Sequence, residues 1–324
     1  MIFTNKYNFG ITSNIFLNEP LIGYLNLGKA KTSAGLTVGN ATSMDKNIKL
    51  TIKKSYSEYL ERFAMGIPLK RNTVTESLNL LTKGIDIIPL EEFGYGKHFL
   101  GHNDTTGTAS GDRSDRIIKK AVCELIEKNE VLCFWYGKSG KILNKSDYIE
   151  KLVKSMGFLA SEIYCFLLNE ISNFPTIIVL GFYEKKLITT GVSCSDNMTN
   201  SIYFALQEAR IVEWQQYNNR FSNFSHYTLE EQEDFYEIAM NRKDTLEKVE
   251  ILQYEKNCLI LANWIKDIKL KLLFSDIRIG VKTVKCISEN LLSSLPIIEN
   301  ISESLDKEVV KRYYKNKKIN CPIV

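Results

Sequence analysis

The chain has 324 residues, 44% of them hydrophobic and 25% charged, with a formal net charge of +4 at pH 7. That composition excludes a disordered, collagenous or small disulfide-stapled chain and supplies enough apolar residues for a sizeable core. Its seven cysteines form no CxxC pair, no apolar run approaches the length of about 18 that spans a bilayer, and MIFTNKYNFG has no signal-type apolar stretch, so a structural zinc site, a membrane span and secretion are set aside for a cytoplasmic chain with reduced thiols.

No repeat, low-complexity tract or Pro/Gly/Ser linker divides the chain, so one domain over residues 1–324 is expected. Over residues 46–66, Ile48, Ile52, Tyr56, Tyr59, Leu60 and Phe63 recur at helical spacing before Gly66, which predicts a helix with those residues inward. GHNDTTGTASG follows as a small polar loop. Ser114 then caps a second helix, with Ile117, Ile118, Ala121, Val122, Leu125 and Ile126 as its apolar stripe and Asp115 favouring its positive end. PTIIVLGFY and LITTGVSC, joined through Glu184-Lys185-Lys186, predict a hairpin. Thr199 opens a third helix, with Ile202, Ala205, Leu206, Ala209 and Val212 or Ile211 inward. An apolar helix is expected near Leu259–Ile268, then a strand pair on either side of Gly280, so residues 257–290 form a closing helix and strand pair. Helices and strands mixed in this way predict an α/β fold of the mixed α+β kind. The tail over 305–324 includes the run Lys307–Lys318, interrupted by Tyr313 and Tyr314, which reads as a solvated helix face in preference to a nucleic-acid patch.

Two predicted helices carry the same acidic device: Glu58 and Glu61 followed by Arg62, and Glu124 and Glu127 followed by Lys128. Glutamates three apart share a helix face, and such clustering needs a cation to offset it; hard carboxylate oxygens without nearby His or Cys suit magnesium better than zinc. Alone, either ExxE would be an ordinary solvated face, and its duplication argues otherwise. The loop Asp104 to Gly111 offers backbone N–H groups and hydroxyls of the kind that bind anions, yet it has neither P-loop nor GxGxxG spacing. His98, His102 and His226 are the whole histidine supply and form no HExxH, which argues against a zinc hydrolase. Cys123 has no His partner in sequence and reads as packing.

In order and spacing, SYSEYLERFAMG, then TTGTASG with AVCELIEKNEVLCFW, then SIYFALQEARIVEW resembles the YcaO family of ATP-dependent peptide-backbone-modifying enzymes across residues 40–220. The resemblance implies a YcaO-like single domain with mixed sheets and packed helices. It implies that Glu58, Glu61, Glu124 and Glu127 bind Mg2+ bridging the phosphates of ATP. Arg62 and Lys128 become catalytic phosphate contacts or charge partners, and Thr105, Thr106 and Gly107 belong to the nucleotide loop. Glu208 matches the glutamate of the third ATP-site motif. The implied reaction is cyclodehydration of Cys, Ser or Thr in a ribosomally synthesised precursor peptide to thiazoline or oxazoline, through phosphorylation of the backbone amide oxygen, as in thiopeptide or bacteriocin biosynthesis. Thioamide or amidine formation, or a catalytically silent peptide-binding scaffold, are the alternatives. The chain begins almost directly with the domain, so a separate leader-binding partner resembling a ubiquitin-activating enzyme is expected. The resemblance also admits a flavin-dependent azoline dehydrogenase and a homodimer, with no nucleic acid and no membrane.

Overall fold

The structure is a computed structural model and describes residues 8–12, 21–26, 31–32, 35–36, 39–67, 69, 72–144, 146–217, 224, 227–241, 256, 258–276, 278, 280–315 and 319–323. His226, residues 316–318 of the basic run and Val324 lie outside the described residues. Two compact units are present, each assembled from separate stretches of chain. The first takes the described residues of 1–13, Leu21–Asn129 and Asn263–Arg312; the second takes those of Glu130–Ala262 and 313–324.

In chain order the elements are β1 (Asn8–Thr12), β2 (Leu21–Asn26), β3 (Lys31–Thr32), β4 (Gly35–Leu36), β5 (Asn40–Asp45), α1 (Ile48–Met65), β6 (Val74–Asn79), β7 (Ile85–Pro89), a 3₁₀ turn (Leu90–Phe93), β8 (Gly96–His98), β9 (Gly101–Asn103), β10 (Thr108–Gly111) and α2 (Ser114–Trp135). They continue as β11 (Lys141–Ile142), α3 (Asp147–Met156), β12 (Glu162–Leu168), β13 (Thr176–Tyr183), β14 (Lys186–Cys194), α4 (Met198–Tyr217), α5 (Leu229–Asn241), β15 (Lys269–Asp276), β16 (Val281–Ile287), α6 (Ile298–Ser302) and α7 (Glu308–Tyr313). The mixed α+β class expected from the sequence is the class observed.

The first unit contains an antiparallel sheet of order β1-β2-β5 and another of order β10-β16-β15-β6-β7, with α1 packed on β2, β5 and β10. Asn47 starts α1 by accepting the N–H groups of Lys49 at 2.9 Å and Leu50 at 3.3 Å through Oδ1, and Gly66 ends it. Of the expected apolar stripe Leu60 is buried and Ile52, Tyr56, Tyr59 and Phe63 are half-buried, but Ile48 is half exposed, and Thr51, Ser55, Glu61, Ala64 and Met65 complete the buried side. Close approach of the sheet decides this. A Cβ on Gly23 would lie 2.3 Å from Thr51 Cγ2, and the Ser43 hydroxyl donates to the Thr51 carbonyl at 2.6 Å, so small and polar residues form the contact.

Most of the expected α2 stripe is buried, with Ser114 as its first helical residue. β10 replaces the second half of the expected polar loop, because Thr108, Ala109, Ser110 and Gly111 pair with Lys285, Val284, Thr283 and Lys282 of β16. Lys307 departs from the solvated face expected of the basic run. It is 4% exposed, its Nζ donates to the Ser288 carbonyl at 2.5 Å, and burial draws its pKa down to about 8 against the pull of Asp267, Glu92 and Glu289.

In the second unit the predicted hairpin forms, as β13 and β14 of a sheet of order β11-β12-β13-β14. Glu184 and Lys185 both adopt positive φ at its tip, the backbone twist that a two-residue connection requires. β13 is central and buried from Thr176 to Phe182, which explains its continuous apolar run. The α4 helix packs on β13 and β14 through a face that includes Ile202, Ala205, Leu206 and Ala209, while Ile211 and Val212 are only half-buried. No helix forms over the apolar stretch before Ile268. Residues 260–262 instead lie along 171–173, with Asn173 N–H donating to Ile260 O at 2.9 Å and Ala262 N–H to Ile171 O at 2.9 Å, so their backbone bonds are made between segments. Cys321, Pro322 and Ile323 are buried, and the Trp135 indole donates to Ile319 O at 3.2 Å. No described helix is long and apolar enough to cross a membrane.

Candidate active site

The two ExxE motifs meet in the first unit. Helical spacing puts Glu58 and Glu61 on one side of α1, and Glu124 and Glu127 on one side of α2. Glu61, 6% exposed, joins three elements: its Oε1 accepts the Ser110 N–H of β10 at 2.9 Å and Lys120 Nζ of α2 at 2.7 Å. Burial, and then the charge on Glu61, push the Glu124 carboxyl well above the usual carboxylate range, while Lys120 and Lys128 oppose. Its Oε2 is buried without a hydrogen-bond partner. Glu58 is raised for the same leading reason, burial, with Arg62 opposing and Glu61 adding to the shift.

The cations alternate with these carboxylates. Arg62 Nη2 lies 2.6 Å from Glu58 Oε1 one turn earlier, and its Nη1 donates to the Asn40 carbonyl. Lys128 Nζ lies 3.4 Å from Glu127 Oε1. Both are therefore charge partners of the ExxE carboxylates. Lys120 bridges the helices, and although burial disfavours its charged form, Glu61, Glu124 and Glu58 hold its proton more tightly than usual.

The expected nucleotide loop is a tight turn over residues 104–107. Asp104 braces it, with Oδ1 accepting the Thr106 N–H and Oδ2 the Leu295 N–H, both at 2.7 Å. Thr105 is half-buried, whereas Thr106 and Gly107 are buried. Gly107 has φ +75°, and a Cβ there would stand 2.7 Å from the Cys286 carbonyl, so both backbone and space demand glycine. Lys285, fully buried, donates to the carbonyls of Asp104, at 2.7 Å, and Thr106. Burial lowers its pKa to about 8, against the charges of Asp104 and Glu124.

Glu208 lies on α4 in the second unit, where its Oε2 accepts the Val192 N–H at 2.9 Å. His102 Nδ1 is 2.8 Å from Glu303 Oε2, and Cys123 is buried. Sequence reading missed Lys120 and Lys285. Lys120 precedes Glu124 by four positions, a spacing that places it on the acidic face of α2. Lys285 gave no such signal, because its carbonyl partners lie about 180 residues away in sequence.

The donor set is one that could hold a hard divalent cation: several carboxylates, one with a buried and unpartnered oxygen. Among the described residues no group of three or more His, Cys, Asp or Glu side chains is already arranged as a metal cage. The chemistry of the donors fits such an ion.

No protein-family model and no curated protein matches the sequence. Solved structures resemble the fold. YcaO from Methanopyrus kandleri, bound with AMPPCP and Mg2+, has a TM-score of 0.69 at 12% identity over 88% of this chain and 86% of that one. The E. coli microcin synthetase McbBCD complex with pro-MccB17 bound contains a chain matching with TM-score 0.69 and 12% identity, over 98% of this chain and 96% of that one. A heterocyclase in complex with substrate and cofactor gives TM-score 0.70 at 12% identity over 97% of this chain, which spans 54% of the heterocyclase. The fold expected from the sequence motifs is the fold these structures share.

Proposed function

We propose that this chain of YcaO fold is a magnesium- and ATP-dependent cyclodehydratase acting on Cys, Ser or Thr of a ribosomally synthesised precursor peptide. The observation that carries the reading is the pairing of Glu58 and Glu61 on α1 with Glu124 and Glu127 on α2, Glu124 Oε2 being buried without a partner. Likeness to a protein solved with AMPPCP and Mg2+, and to a synthetase solved with pro-MccB17, supports it.

On this reading the four glutamates hold magnesium, which when bound offsets the charge of the ATP phosphates. Arg62 and Lys128 pair with Glu58 and Glu127 and orient them, and stand as phosphate contacts. Thr105, Thr106 and Gly107 border the nucleotide, and Asp104 and Lys285 fix that turn. By resemblance Glu208, on α4, is the glutamate of the third ATP-site motif. In the substrate, a side-chain thiol or hydroxyl attacks the preceding backbone carbonyl carbon. The resulting oxyanion takes the γ-phosphoryl group of ATP, releasing ADP. Loss of phosphate breaks that C–O bond as the amide nitrogen gives up its proton and forms the ring C=N, which, with the side-chain proton already released on attack, leaves the azoline one water lighter. A separate protein presents the peptide and raises its effective concentration.

Mass spectrometry of the precursor peptide after incubation with this chain, its presenting partner, ATP and Mg2+ tests the reading. The expected result is loss of one water per modified residue, with ADP and phosphate formed. Exchange of oxygen for sulfur would assign thioamide chemistry instead. An unmodified peptide together with no magnesium-dependent nucleotide binding would leave a peptide-binding scaffold.

A further inference from the structure

We infer that Lys120 is a displaceable internal cation, which neutralises the Glu58, Glu61 and Glu124 cluster in the nucleotide-free protein and yields to a divalent ion when that ion arrives with nucleotide phosphates. The inference rests on the magnesium and nucleotide reading above and adds the way the two ligands are coupled.

Lys120 differs from the other cations of the site. Arg62 pairs with Glu58 on its own helix and Lys128 with its neighbour Glu127, whereas Lys120 Nζ crosses from α2 to α1 and stands 2.7 Å from Glu61 Oε1. Three carboxylates act on its charge, those of Glu61, Glu124 and Glu58. The Lys120 side chain is 54% exposed, against 8% for Glu61. A flexible, half-solvated stem can swing away without opening the core, while Glu61 stays anchored by the Ser110 N–H. The lysine also leaves acceptor capacity unfilled, because Glu124 Oε2 has no partner.

A free divalent ion entering this cluster meets the repulsion of an ammonium already seated there. An ion carried by a polyphosphate does not meet the same obstacle, since the phosphate oxygens accept the ammonium as the metal takes the carboxylates. Lys120 thereby couples metal binding to nucleotide binding, and the coupling acts equally in both directions.

Mn2+ binding read by electron paramagnetic resonance tests this, with and without a saturating non-hydrolysable ATP analogue, in the wild type, Lys120→Gln and Lys120→Arg. The wild type should bind Mn2+ at least about tenfold more tightly with the analogue than alone, the lower bound of a useful coupling. Lys120→Gln should tighten binding of free Mn2+ by about tenfold or more and so shrink that ratio, whereas Lys120→Arg, which keeps the charge, should preserve it. A ratio unchanged in Lys120→Gln, or weaker binding of free Mn2+ by that variant, overturns the inference and leaves the magnesium reading standing. No Mn2+ binding by any variant, even with the analogue, removes both. Coincident melting curves establish that the variants are folded.

Discussion

Arg210 with Glu213 in the second unit, and Glu61 and Glu124 with Lys120 in the first, are carboxylates paired with cations in two different ways. Arg210 is 0% exposed; its Nη1 lies 2.7 Å from Glu213 Oε2 and its Nε donates to Met156 O at 3.0 Å. Glu213 Oε1 accepts the N–H groups of Leu159 at 2.9 Å and Ala160 at 2.8 Å. That pair is closed, since both carboxylate oxygens are bonded. In the first unit Glu124 Oε2 has no partner and Lys120 keeps half its side chain in water. That closed, buried pair joins α4 to the chain around Met156–Ala160. In the open cluster Lys120 and Lys128 oppose the shift that burial and Glu61 impose on Glu124, and Glu124 Oε2 keeps acceptor capacity.

Removing one partner from each should separate the two cases. Arg210→Met strands the Glu213 carboxylate and should lower unfolding stability by about 3–5 kcal/mol in urea titration, whereas Glu124→Gln, which removes an unfavourable charge, should not lower it at all. Equal losses would erase the distinction. Glu130, in the second unit, supplies a comparison by pH. It is 0% exposed, and burial pushes its carboxyl up to about 8, although the Ile171 N–H opposes the shift. Its proton is held more tightly folded than unfolded, so its contribution is fully present below the unfolded value of 4.5 and is lost as pH rises toward about 8. Wild-type stability should therefore fall by on the order of 3 kcal/mol relative to Glu130→Gln between mildly acid and neutral pH. Parallel pH profiles for the two proteins would contradict the assignment.

Smaller in energy but specific to function, alanine at any one of Glu58, Glu61, Glu124 or Glu127 should reduce ATP turnover by roughly 10², the scale of losing one charge-stabilising group, in a steady-state phosphate-release assay. Undiminished turnover in all four variants would exclude them from the site. Lys128→Arg should change turnover least, by no more than about threefold, because either cation offsets Glu127.

Residues that act along their own helix were legible in the sequence, and residues that act across the fold were not. The i, i+3 spacing of Glu58 with Glu61 and of Glu124 with Glu127 identified the acidic faces without any tertiary knowledge, and β13 and β14 followed from their β-branched runs. The inward side of α1 was hidden because Gly23 and Ser43, on strands closed against it, select Thr51 and Ser55 over Ile48 and Ile52. The apolar stretch ending at Ile268 read as helix because periodicity cannot register that residues 171–173 supply its hydrogen bonds. Lys307 looked like part of a basic face until Asp267, Glu92 and Glu289 surrounded it. Buried lysines are rare enough that sequence reading assigns them to solvent by default.

Calorimetric titration of a non-hydrolysable ATP analogue into the wild type and Glu124→Gln, each with and without Mg2+, tests the central claim most directly. The four-glutamate site predicts wild-type binding that requires Mg2+, and a loss of at least about tenfold in Glu124→Gln, the scale of one charge-assisted contact. Nucleotide binding of equal strength with and without Mg2+, unchanged by Glu124→Gln, would contradict it.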